Sequence, residues 1–103
     1  MTDGQAAAVL GALADPTRLA MLRHLVRAGP EGAAAGTSAE AVGATPSRAS
    51  FHLKALERAG LVTCRRDGRS MIYAARMDAL GAVISHIVDD CCAGSPALRA
   101  CCR

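Results

Sequence analysis

Four of the five cysteines in this 103-residue chain fall within twelve residues, as Cys91-Cys92 and Cys101-Cys102 with AGSPALRA between them. Thiolates are soft ligands, and thiophilic ions such as trivalent arsenic or antimony take three sulfurs or two. A vicinal pair matches tetrahedral zinc poorly, because structural zinc sites commonly space their ligands by two to four residues. Gly94-Ser95-Pro96 can reverse the chain and return a third thiolate, Cys101 or Cys102, to the first pair. Cys91, Cys92, Cys101 and Cys102 are therefore the candidate ligands of a soft ion. A thiol that senses oxidants or persulfides by forming a disulfide is the rival reading of the same four residues, since clustered thiols without a use are an oxidation liability. Asp89 and Asp90 beside the first pair disfavour an activated thiolate nucleophile, so no enzyme is expected. Cys64 stands apart and is expected to fill a small apolar space in a strand.

The second chemical feature is charge. The formal net charge is only +3, but residues 48–76 carry seven basic side chains against Glu57 and Asp67. That block is net +5 and the stretches on either side are each −1, the footprint of a protein that meets a polyanion. Apolar residues make up 51% of the chain and charged ones 20%, which excludes a disordered tail and argues for one folded domain. A domain of this size buries only ~60 to 65% of its unfolded surface, so a second copy would help it considerably. No window offers ~18 consecutive apolar residues, and MTDGQAAAVL lacks the basic region and cleavage site of a signal peptide. The expectation is a cytoplasmic protein with no membrane partner.

These groups must be positioned by local elements. Ala6, Val9, Leu10 and Leu13 follow helical spacing and predict a short first helix. Asp15-Pro16 is an N-cap followed by proline at the first helical position, and Leu19, Leu22, Leu25 and Val26 form the expected buried stripe up to Gly29-Pro30. EGAAAG then reads as a flexible loop without chemistry, and Thr37 with Glu40 as a capping box opening a short helix through Val42. After the Gly43-Ala44 turn, Thr45-Pro46 repeats the cap for a helix ending near Ala59 and Gly60, which makes a helix-turn-helix. LVTCRR and SMIYAA, separated by Asp67-Gly68-Arg69, read as a β-hairpin. Leu80, Val83, Ile84, Ile87, Val88 and Cys91 alternate by three and four, as in a helix-packing seam. With the first helix also amphipathic, both terminal helices are expected to meet a second copy.

The order helix, helix, helix-turn-helix, hairpin, helix is that of a winged helix-turn-helix, mainly α with a β-hairpin wing. At 100° per residue Leu53 and Leu56 lie within ~40° of Ala49, while Ser47, Phe51, Lys54 and Arg58 fall on the far side. The expected contacts to double-stranded DNA are Ser47, Arg48, Ser50, Phe51, His52, Lys54, Arg66 and Arg69. Ser47, Arg48 and Phe51 would reach base edges, Phe51 against a thymine methyl, with a place in the core as its alternative. For His52, phosphate contact and hydrogen-bonded packing both remain open. Lys54 and Arg58 would touch phosphates, and Arg66 and Arg69 flank the hairpin tip, where a wing can lay an arginine along the backbone or into a minor groove.

ALADPTRLAMLRHL and SRASFHLKALERAGLVTCRRDGRSMIYAA resemble the ArsR/SmtB family of bacterial metalloregulatory repressors over roughly residues 8–76, most specifically in ADPTR and HLKALERAGLV. The resemblance implies a homodimer held through its first and last helices, sitting on an operator and leaving when an inducer binds. The family's arsenic site in the helix before the reading helix has no cysteines here, where the chain reads TSAEAVGAT. Its zinc site in the last helix is not matched either: Asp78 and His86 are eight residues apart and no histidine follows, so His86 is expected at a surface or interface. The remaining place is the cysteine-rich end, similar to the C-terminal vicinal pair of arsenite-responsive members. The expected inducer is As(III), with Sb(III) or a methylated trivalent arsenical as variants. The expected division is a DNA-binding and dimerisation domain over 1–92 and a cysteine-containing tail over 93–103.

Overall fold

The computed structural model describes residues 1–88 together with residue 97. Helix α1 spans Asp3–Ala12. The Thr2 hydroxyl accepts from the Gln5 N–H at 3.1 Å, and the Gln5 side chain accepts from the Thr2 N–H at 2.8 Å. This reciprocal cap satisfies two of the N–H groups that a helix start leaves without partners, and it sets the start three residues ahead of Ala6.

Helix α2, Pro16–Ala28, begins as the Asp15-Pro16 pair predicts: Asp15 Oδ1 accepts from the Thr17 N–H at 2.9 Å and the Arg18 N–H at 3.1 Å. Those donors, Arg18 foremost, hold the Asp15 carboxyl below the ordinary aspartate range, because they bind its charged form. The buried face of α2 differs from the expected stripe. Met21, Leu22 and Leu25 form it, and Leu19 is 45% exposed. Leu19 lies ~110° around the helix from the middle of that face, so once Met21 turns inward Leu19 cannot follow. It lines a small apolar groove with Leu13, Leu22, Val26 and Leu80 instead.

EGAAAG is the larger correction. Ala33–Ala34 form a strand, β1, paired antiparallel with Tyr73 and Ile72. Gly32 has φ 75° and passes so close to the partner strand that a Cβ there would stand 2.3 Å from the Tyr73 carbonyl oxygen. Helix α3, Ala35–Val42, follows without a break, so its N-cap is Ala34, which has no capping side chain. Thr37 and Glu40 are exposed inside it, because strand pairing sets its start two residues before the expected capping box.

Gly43, left-handed at φ 67°, ends α3, and helix α4 covers Pro46–Arg58. Strands β2, Val62–Asp67, and β3, Ser70–Ala75, form the hairpin, and the sheet order is β1-β3-β2. Its two-residue turn puts Gly68, φ 64°, at the first central position, where the left-handed region favours glycine. Helix α5, Met77–Val88, packs against α1. Met21, Leu25, Leu53, Leu56 and Leu61 are completely buried and, with Val62, Tyr73 and Val83, join α2, α4, the sheet and α5 in one core. The architecture is the expected winged helix-turn-helix. Cys91 of the expected seam and the division at residues 92 and 93 lie outside the described residues.

Candidate nucleic-acid interface

Helix α4 presents two chemically different faces. Thr45 caps it, accepting from the Arg48 N–H at 3.3 Å, and Pro46 occupies the first turn, where its missing N–H costs nothing. Ala49, His52, Leu53 and Leu56 are buried against α2, α3 and β2. Ser47, Arg48, Phe51, Lys54 and Arg58 are exposed, and Ser50 is half-buried at the edge between the faces. Phe51 is 58% exposed, which excludes the core alternative for it.

His52 departs from the flank position in the expected contact set. It is 6% exposed, and its Nδ1 accepts a hydrogen bond from Arg18 Nε at 3.0 Å, so hydrogen-bonded packing describes it. An accepting ring nitrogen carries no proton, which places the proton of the neutral ring on Nε2. The physical reason is the position of α2, whose first turn delivers an arginine to a ring thirty-four residues away.

The hairpin carries the rest of the charge. Arg65, Arg66 and Arg69 are exposed, and Arg65 is tied back by donating to the Glu31 carbonyl oxygen at 3.0 Å. Among the described residues Arg76 forms an ion pair with Asp78 at 3.0 Å, and His86 Nε2 lies 2.6 Å from Asp3 Oδ1. The Arg76 guanidinium holds the Asp78 carboxyl below its ordinary range. Arg48, Lys54, Arg58, Arg66 and Arg69 therefore have no acidic partner among the described residues. An uncompensated cationic face on a helix and a hairpin is suited to phosphate oxygens, with the polar start of α4 free to meet base edges.

Cys64 faces Tyr73 across the hairpin and packs against the core, as its small apolar role requires. Burial, and then the neighbouring thiol, push the Tyr73 hydroxyl up to about 12. Asp78 pairs with Arg76 and His86 contacts Asp3, so α5 offers no joined pair of ligands from them, and the described residues contain no cluster of three metal-binding side chains. Cys91, Cys92, Cys101 and Cys102 lie outside the described residues. The sequence signal for the Arg18–His52 contact is the ADPTR segment, whose Asp-Pro pair caps α2 and whose arginine reaches α4.

A helix-turn-helix with a basic reading helix and a basic hairpin defines the class, the winged helix-turn-helix regulators. The chain belongs to the helix-turn-helix domain family, whose pattern it matches over residues 13–65. It is 37% identical over 84 residues to the nodulation protein NolR of Rhizobium meliloti, covering 82% of this chain and 66% of that one. The homodimeric winged helix-turn-helix domain of Mb0332 from Mycobacterium bovis, a possible ArsR-family transcriptional regulator, superposes with a TM-score of 0.68 at 31% identity, covering 87% of this chain and 89% of that one. A protein described as a possible transcriptional regulator for arsenical resistance superposes with a TM-score of 0.69 at 28% identity, covering 90% and 93%. No helix among the described residues is long and apolar enough to cross a membrane.

Proposed function

We propose that the chain is a homodimeric transcriptional repressor that binds operator DNA and is released when As(III), or Sb(III), is captured by C-terminal thiolates. The observation that carries the DNA reading is the exposed, uncompensated cationic face of α4 and the wing. Ser47, Arg48, Ser50 and Phe51 meet the bases, Lys54 and Arg58 meet phosphates, and Arg66 and Arg69 follow the backbone from the wing. His52 serves from behind, as packing.

Leu10, Ile84 and Ile87 support the dimer, since each is 44 to 47% exposed on the two terminal helices. The sensing reading rests on sequence and donor chemistry. Cys91 follows the last described residue of α5 by three positions, and four thiols within twelve residues suit a trigonal thiophilic ion. Arsenous acid exchanges its As–O bonds for As–S bonds to Cys91, Cys92 and one of Cys101 or Cys102, the thiol protons leave as water, and arsenic stays trivalent. A two-thiol site would take a methylated trivalent arsenical. Likeness to a possible regulator for arsenical resistance supports this choice. Capture next to a dimer helix would change the spacing of the two reading helices, which one DNA turn of ~34 Å sets between half-sites. A coupling of ~1 to 3 kcal/mol would weaken DNA binding about 5- to 150-fold.

Fluorescence anisotropy on a duplex selected by the protein from a randomised library tests both parts. Arsenite should release the wild type under reducing conditions, and the Cys91→Ser/Cys92→Ser variant should stay bound. Release by a disulfide-forming oxidant, reversed by a reductant and without response to arsenite, would favour the thiol redox or persulfide reading of the same cysteines. Release of the double variant by arsenite would refute the C-terminal site.

A further inference from the structure

Arg18 is placed unlike any other cation of the described chain. It stands in the first turn of α2, outside the helix-turn-helix, where the Asp15 cap fixes its backbone. From there its side chain joins three elements. Nε donates to His52 Nδ1 at 3.0 Å, a guanidinium N–H reaches the Ala12 carbonyl oxygen at the end of α1 at 3.5 Å, and the guanidinium lies 5.7 Å from the centroid of the Phe51 ring. The His52 ring meets Phe51 edge-on, with centroids 5.4 Å apart and planes at 71°. A 58% exposed phenylalanine has few neighbours to fix its rotamer, and here a cation and an aromatic edge supply them.

We infer that Arg18 is a positioning residue of the reading helix, holding Phe51 through the Arg18–His52–Phe51 stack so that its ring is presented to the bases in one orientation. The inference rests on the proposed DNA reading of α4. It assigns to Arg18 sequence discrimination and no phosphate contact, because its hydrogen bonds are made inside the protein. Removing it frees the Phe51 ring and leaves the cationic face that supplies non-specific binding intact.

The test uses the full chain on the duplex selected from a randomised library and, separately, on poly(dI-dC). Arg18→Ala should weaken binding to the selected duplex about 3- to 10-fold, the effect of one cation–aromatic contact and one hydrogen bond. Affinity for poly(dI-dC) and the salt dependence should stay as in the wild type. In a Phe51→Ala background the Arg18→Ala loss should shrink below about twofold, which a merely structural role would not produce. His52→Asn, which keeps an acceptor near the Nδ1 position but removes the aromatic edge, should lose less than Arg18→Ala, and His52→Leu, which removes both, should lose at least as much as Arg18→Ala. Arg18→Lys keeps the charge and the stem, and should also lose discrimination. If Arg18→Lys binds like the wild type, if the Arg18→Ala loss is unchanged without Phe51, or if the salt slope falls by about one, the inference is overturned. A wild type that selects no duplex would instead refute the DNA reading on which it stands.

Discussion

The side chains that α2, α4 and the sheet bring together are sealed from solvent, while α1 and α5, which join the same core through Val9 and Val83, leave large apolar side chains open. In the first region Met21, Leu25, Leu53, Leu56 and Leu61 are completely sealed, and α2 and α4 each start on a side-chain cap. In the second, Val83 is the one buried residue of α5, while Leu10, Ile84 and Ile87 remain open. The exposed His86–Asp3 contact that joins these two helices contributes little, as surface polar contacts between solvated side chains do. α1 and α5 are more apolar than α2 and α4, so their open faces do not come from a polar composition. The reading head folds around its own side chains, and among the described residues α1 and α5 keep Leu10, Ile84 and Ile87 exposed.

Substitutions should separate the two regions. The largest effect is expected from Leu53→Ala, which opens a cavity in the sealed core and should cost ~2 to 5 kcal/mol of unfolding free energy by chemical denaturation. A loss below ~1 kcal/mol would mean that the head is less self-contained than its burial implies. Next, Ile84→Asp/Ile87→Asp places two carboxylates on the open face of α5. It should weaken self-association by roughly 30-fold or more in sedimentation, as burying unpaired charge requires, and leave the circular dichroism of the head unchanged. An unchanged sedimentation coefficient would remove α5 from the dimer interface. The smallest effect is expected at Asp15. Its folded carboxyl titrates below its unfolded value, so the charge stabilises the fold fully above about pH 5 and ceases to do so as pH falls through the folded value. Asp15→Asn retains an acceptor for the cap, so its melting temperature should lie below that of the wild type at pH 7 and approach it at acid pH. A gap that widens in acid would contradict the lowered titration.

The contrast extends to what could be read from the chain. Asp15-Pro16 and Thr45-Pro46 announced α2 and α4 because a cap is written within four residues, and Gly68 marked the wing turn for the same reason. The Thr2-Gln5 cap is equally local, but it lies ahead of the apolar spacing that starts at Ala6. The candidate interface was legible as a basic block with a helical two-face pattern, which placed Ser47, Phe51, Lys54 and Arg58 outside without a structure. Its inner support was not legible.

By itself the sequence determined the helices with polar caps, the hairpin, the basic face and the cysteine-rich end, since each is specified by residues a few positions apart. Tertiary structure alone decided that Ala33–Ala34 pair with β3, that Met21 turns inward where Leu19 does not, and that Arg18 meets His52. Alanine has weak strand preference, one rotation of α2 exchanges its buried leucines, and Arg18 and His52 stand thirty-four residues apart. Such choices follow from which surfaces meet once the chain has closed on itself, and no local pattern encodes them.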